Sequence, residues 1–534
     1  MGCWLADSAS AERSALRGLI VHGRIRQELN RYRVFALLLL GTVTLFHLWY
    51  VASGIVELAP DEAHYWEWSR RLDWSYYSKG PMVAYLIAAS TRLGGHAELF
   101  VRLPAVLLAL GTGVLAYLLA WRLFNSERAG LLVLLIICAS PLYAAGSILM
   151  TTDAPFVFFW ALAVLSFRSA VTSSRSGVWW YVLALALGLG FLSKYTMMIF
   201  VPCLLVYLCA SPAARRYLLR PEPYGAALLG GLCAIPVFVW NRQHGWVSAQ
   251  HVMGQAGLAH EAIHASAKTF FEFLGSQIGV VSPLLFVALA AAMMRCARLG
   301  IRQRREEHLL LFVFSVPVLL AFLLWSFVDK VQANWAAPAY LTGMVALAGW
   351  WDEELQNTGG GEGRRRLPGR IAVVLCTGFL VVAVEHFPAI LPTMGIRLPV
   401  GMDPTARLHG WKQLGEAVEK HVTNNARFIM SDQYQIASEL AFYVAGQPQT
   451  YNINLGRRMN QYDIWGGLDG LRGRDGLVVI YGDVDVPQSL REACDSTHKI
   501  DLIQALYLGQ VAQTFSIFEC RRYHGLPPPP AITY

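Results

Sequence analysis

Val34–Ala52 reads VFALLLLGTVTLFHLWYVA, a run without a formal charge, and it decides the architecture. At about 1.5 Å of helical rise per residue such a run covers the roughly 30 Å of bilayer hydrocarbon. Similar blocks recur near 99–120, 129–147, 154–170, 178–193, 195–210, 224–240, 271–294, 308–327, 335–351 and 371–387. The expectation is a polytopic α-helical membrane protein of about eleven spans over residues 34–390. Segments 178–193 and 195–210 meet at Lys194, and a lysine at mid-bilayer is costly, so they read as a hairpin. Met82–Leu93 is too short to cross and reads as a helix in the interface. Of 534 residues, 55% are hydrophobic and 15% charged, against about 25% charged in soluble domains. An ordinary soluble enzyme is excluded.

The net charge of +8 reflects where the arginines lie rather than nucleic-acid binding. Six precede Val34 in the basic N-terminus, residues 1–33. With that segment in the cytoplasm, the loops on its side hold 22 Lys and Arg against 8 on the other. The positive-inside rule then sets the N-terminus inside and the C-terminus outside. Beyond residue 395 short apolar runs alternate with polar helices, so residues 403–534 read as a small extracytoplasmic α/β domain. In an oxidising compartment Cys494 and Cys520 of that domain could pair, or remain two buried thiols.

Chemistry is sought in the outward loops, where charge beside a membrane needs a reason. The first, residues 53–98, carries Pro60-Asp61-Glu62-Ala63-His64-Tyr65-Trp66 and later Tyr76-Tyr77-Ser78-Lys79-Gly80-Pro81. Asp61 and Glu62 also suit the positive start of a helix, and tryptophans populate membrane interfaces anyway. The set argues for more. Asp153, Lys194 and Lys330 recur at span ends on the same face. Lysines hold phosphate as point charges, and a carboxylate takes a proton from a hydroxyl.

Taken together, Asp61-Glu62-Ala63-His64-Tyr65, Tyr77-Ser78-Lys79-Gly80-Pro81 and Val101-Arg102-Leu103-Pro104 resemble the GT-C membrane glycosyltransferases of the protein O-mannosyltransferase type, glycosyltransferase family 39. The resemblance covers roughly residues 34–350. It implies transfer of a sugar from a polyprenyl-phosphate carrier to an acceptor hydroxyl of lipid A, a glycolipid, a polysaccharide or a protein. The setting it implies is the outer face of a bacterial inner membrane, with no cofactor required. Asp61 is expected as base with Glu62 beside it, and Asp153 as a further catalytic acid residue. Lys79 and Lys194 would meet carrier phosphate, while His64, Tyr65 and Tyr77 would line the substrate pocket. Two departures are visible: the family's Lys-Pro-Pro reads Lys79-Gly80-Pro81, and its Tyr-x-x-Pro after a late lysine reads Trp335-Ala336-Ala337-Pro338. From that late stretch only Lys330 is carried over as a phosphate ligand.

Two other classes compete. His260-Glu261-Ala262-Ile263-His264 matches H-E-x-x-H, the helix spacing of a zinc protease, but no clear third ligand flanks it. A transporter or lipid flippase would also tolerate charged membrane segments, yet its charges should lie near the midplane on matching halves.

Overall fold

The computed structural model describes residues 31–526 apart from 174–175, 256–265, 358–361, 397–398, 404 and 423–426. Among the described residues six helices are long and apolar enough to cross a bilayer: Arg31–Ala52 (α1), Glu98–Phe124, Asp153–Thr172, Pro283–Arg302, Glu306–Trp325 and Leu367–His386. A seventh arises if Pro221–Leu232 and Ile235–Gln243, bent by 41°, form one span. Most other expected segments fold as shorter or broken helices, whereas 335–351 falls largely in the unbroken helix Ala337–Asn357. The run 129–147 breaks ahead of Pro141 into Glu127–Cys138 and Pro141–Gly146. The run 271–294 breaks at Ser282, whose φ of 79° cannot continue a helix, just before Pro283. The chain breaks at Lys194, the point predicted for a hairpin, with a helix ending at Ser193 and a short 3₁₀ turn from Tyr195 that leads into Phe200–Ala210.

Between the first two spans the chain forms α2 (Pro60–Arg70) and a helix over Met82–Gly94, followed by α3 (Glu98–Phe124). Asp153–Thr172 is α4. The C-terminal region is an α/β unit with sheet order β2-β1-β3-β5-β4. Its strands are β1 (Phe428–Ser431), β2 (Thr450–Asn452), β3 (Gly476–Tyr481), β4 (Cys494–Tyr507) and β5 (Gln510–Tyr523). β1 runs parallel to both β2 and β3, and the β4–β5 hairpin adds antiparallel to β3. Leu508 and Gly509 both take positive φ, as a two-residue hairpin turn matched to strand twist requires. Cys494 and Cys520 are disulfide-bonded.

The two parts share a core. Ala63, Tyr65, Trp66 and Trp68 of α2 are buried with Val101, Met150 and, from the C-terminal unit, Ala441 and Phe442. Those last two lie on α5 (Tyr434–Tyr443). Trp66 and Trp68 are fully buried, and aromatic side chains of this size dominate the energetics of such contacts. The loop after the first span is therefore held between the membrane helices and the C-terminal unit.

Candidate active site

Pro60 opens α2 with its fixed φ, and Asp61 and Glu62 fall in the first turn. The two carboxylates then part company. Glu62 is fully buried and pairs with the equally buried Arg102 of α3 at 2.6 Å. Its oxygens also accept the Ala59 N–H at 2.9 Å and the Met150 N–H at 2.7 Å. Arg102 donates further to the carbonyls of Val56 (3.0 Å) and Glu57 (2.7 Å). This clamp fixes the loop entry, α3 and the turn before Asp153 in one frame. The expected catalytic role of Glu62 is corrected accordingly: both its oxygens are engaged, and it is a positioning residue.

Asp61 points away from that clamp. It is exposed and accepts the Tyr434 hydroxyl of α5 at 3.1 Å. Tyr65 lies one helical turn on, hence on the same face. Burial, and then the charges of Asp61, Tyr434 and Asp153, hold the Tyr65 hydroxyl well above its ordinary pKa. Its hydroxyl therefore stays protonated.

His64 does not line this face. Its Nδ1 bonds Ser438 Oγ at 3.0 Å and its Nε2 accepts the Trp68 indole N–H at 3.1 Å. Its ring stacks with Tyr462 at 5.5 Å, and burial pushes its pKa down to about 3. Its expected place in the substrate pocket is corrected to a neutral packing contact between α2 and the C-terminal unit. Tyr77 also packs rather than opening to the aspartates. Its N–H donates to Gln461 at 2.7 Å, and its ring lies 4.8 Å from that of His251.

Lys194 and Asp153 meet at 2.6 Å, with side chains only 8% and 15% exposed. The second Asp153 oxygen accepts Asn334 Nδ2 at 2.5 Å. The Lys194 ammonium also lies 5.7 Å from the Phe156 ring and 6.0 Å from that of Trp335. Lys79 approaches from the other side because Gly80 packs against the end of the helix before Lys194. A Cβ on Gly80 would fall 2.1 Å from the Leu192 carbonyl oxygen, so the family's proline position is here a close backbone contact. Half-buried Lys79 is pushed down to about 8, first by burial and then by Lys194, against the opposing pull of Asp153 and Asp61. The charges of Asp61, Asp153 and Lys194 thus all act on Lys79, although the four residues come from separate stretches.

Lys330 is exposed, and among the described residues its side chain makes no ion pair with the cluster. Asn334 and Trp335, a few residues on, reach Asp153 and Lys194 instead. Sequence reasoning also missed Tyr434 and Arg458; the latter's charge is felt by Lys79. Neither has a motif that would have flagged it. Residues His260–His264 lie outside the described residues, and among those described no three His, Cys, Asp or Glu gather to hold a metal.

Residues 78–240 match the family described as dolichyl-phosphate-mannose-protein mannosyltransferase. The lipid A galacturonosyltransferase RgtD of Rhizobium johnstonii is 34% identical over 309 residues, 57% of this chain and 63% of that protein. The undecaprenyl phosphate-α-4-amino-4-deoxy-L-arabinose arabinosyl transferase of Pseudomonas paraeruginosa is 30% identical over 31% of this chain and 33% of its own. The matched region thus spans less than two thirds of either relative. Among solved structures, ArnT from Cupriavidus metallidurans superposes with a TM-score of 0.61 at 15% identity, covering 90% of this chain and 97% of that one. The fold is that of the GT-C membrane glycosyltransferases, as the Asp61–Pro104 stretch implied.

Proposed function

We propose that this chain is a membrane glycosyltransferase that moves a sugar from a polyprenyl-phosphate carrier to an acceptor hydroxyl, with lipid A the favoured acceptor class. The single observation that carries this reading is the buried Asp153–Lys194 ion pair, whose charges, with that of Asp61, act on Lys79. The relatives add the substrate classes: one is named for lipid A and galacturonic acid, another for an undecaprenyl-phosphate aminoarabinose donor. Those names support a hexuronosyl or pentosyl donor. The basic loops support a cytoplasmic N-terminus, with the site and the C-terminal unit facing the periplasm of a bacterial inner membrane.

In this reaction the acceptor oxygen attacks the anomeric carbon while Asp61 takes the hydroxyl proton, and the carbon–oxygen bond to the phosphate breaks with its electron pair staying on the carrier. The phosphate is a competent leaving group, so no acid is needed. Cations aimed at the developing charge do the work in a partly dry site. Lys79, which makes no ion pair among the described residues, is the cation left to meet the phosphate. Lys194 is tied to Asp153 and fixes the floor against which the phosphate rests. The scheme calls for no metal or organic cofactor. The Tyr434 hydroxyl keeps Asp61 oriented until an acceptor replaces it.

Asp61→Asn is expected to abolish transfer while protein level and carrier binding stay at the wild-type value. Sugar transfer from radiolabelled carrier lipid by purified protein measures it. Wild-type turnover in that variant would remove Asp61 from the base role. A wild-type protein that moves carrier lipid across vesicles without breaking the sugar bond would favour the flippase instead.

A further inference from the structure

Arg458 is an unspent cation at the edge of the cluster. Its backbone is anchored on both sides. Before it, Arg457 bonds both oxygens of Asp463 at 2.7 and 3.0 Å and donates to the carbonyl of Ile453. After it, Met459 packs with Tyr77, Trp240 and Val247. Asn460 then caps α6 (Gln461–Trp465), and Gln461 accepts the Tyr77 N–H. Tyr77 stands two residues before Lys79, so the turn bearing Arg458 lies against the loop bearing Lys79. Between these anchors the Arg458 side chain is exposed, and among the described residues it makes no ion pair or side-chain hydrogen bond.

His251 provides a second observation. Its ring is 2% exposed, and among the described residues its Nδ1 has no hydrogen-bond partner. A buried polar group left this way is costly. The charges that act on it are those of Arg458 and Lys79. Two cations and an unsatisfied ring nitrogen therefore gather around Tyr77, and no described carboxylate pairs with either cation.

We propose that Arg458 binds an anionic group of the lipid-linked donor, so that the C-terminal unit takes part in donor recognition. This rests on the transferase reading. A guanidinium fork matches phosphate or carboxylate with two parallel hydrogen bonds, where an ammonium offers a point charge. Two groups on the donor share that chemistry: the carrier phosphate, held jointly with Lys79, and the carboxylate of a uronosyl sugar. Either role puts Arg458 on the donor, while its charge also reaches Tyr434, whose hydroxyl bonds Asp61.

The test compares purified full-length wild-type and R458Q protein in lipid nanodiscs. Binding is measured for three probes: undecaprenyl phosphate, a uronosyl undecaprenyl phosphate and a neutral pentosyl one. Among the described residues the Arg458 side chain makes no ion pair or hydrogen bond, so the variant is expected to keep the wild-type fold. A charge-assisted contact is worth about tenfold or more in affinity. An equal loss of that size for all three probes assigns Arg458 to the phosphate, and a loss confined to the uronosyl probe assigns it to the carboxylate. Either result supports the proposal. Unchanged binding of all three overturns it. Transfer is assayed separately on the wild type: binding without transfer would defeat the transferase reading while leaving the Arg458 comparison decisive.

Discussion

If Lys79 meets the carrier phosphate as proposed, donor binding is expected to be sensitive to alkali. Burial, reinforced by Lys194 and Arg458, pushes its ammonium down to about 8, from an ordinary value of 10.5. It is then roughly nine-tenths charged at pH 7 and about one-tenth charged at pH 9. The carrier phosphate loses its second proton near pH 6, so the anion is the same across that window and only the lysine changes. Undecaprenyl phosphate affinity is expected to fall about tenfold from pH 7 to pH 9, about 1.4 kcal/mol. Above pH 8 the arriving phosphate should draw a proton back onto Lys79. Calorimetry in buffers of different ionisation enthalpy reads both quantities. Lys79→Arg keeps its charge throughout and should flatten the profile. A wild-type affinity that is level from pH 7 to 9, or an unchanged decline in the arginine variant, would refute the reasoning. Folding responds with the opposite sign. Between about 8 and 10.5 the unfolded chain binds more protons at this position than the folded one, so the ligand-free protein gains stability as pH rises.

Arg102→Ala leaves the Glu62 carboxylate buried without its cation and should cost about 3–5 kcal/mol, read as a large drop in thermal stability in detergent. Replacing both partners with Met should recover part of that loss; a double variant as unstable as the single one would count against the pair. Cys520→Ser opens the disulfide to Cys494, 26 residues away. It should cost the C-terminal unit about 2–4 kcal/mol, with reductant giving the same shift in the wild-type protein and none in the variant. Equal melting with and without reductant in the wild type would contradict it.

How much of this was legible beforehand divides along a physical line. Hydropathy runs gave the membrane class because a bilayer imposes one length on every crossing helix. Asp61, Lys79, Asp153 and Lys194 were readable because charge near hydrocarbon is expensive and therefore conspicuous. The breaks at Pro141 and Ser282 were not, since composition alone does not say whether an apolar run stays straight. Glu62 and Asp61 are adjacent and chemically alike. Only the arrival of Arg102, from forty residues on, separates a structural carboxylate from an available one. His64 was misassigned for a related reason: Ser438 and Tyr462 satisfy it, and neither has any sequence signature tying it to residue 64. Asn334 and Trp335 were passed over because they depart from a family spelling, yet an amide and an indole reach Asp153 and Lys194 whatever the spelling. Arg458 lies in an ordinary-looking turn, and its place depends on Met459 and Gln461 finding Tyr77.

The seam between α2 and the C-terminal unit has a consequence for how the protein is made. His64 waits for Ser438, 374 residues downstream, and Glu67 for the hydroxyl of Tyr462, 395 residues downstream. At about 5–20 residues per second of synthesis, the helix bearing Asp61 stands without its cover for roughly 20 to 75 s. During that interval its tryptophans, histidine and buried glutamates face whatever surrounds the nascent chain. Completion of that seam is thus timed by the synthesis of Ser438 and Tyr462, and a product truncated before them would emerge with that helix bare, open to chaperones and proteases.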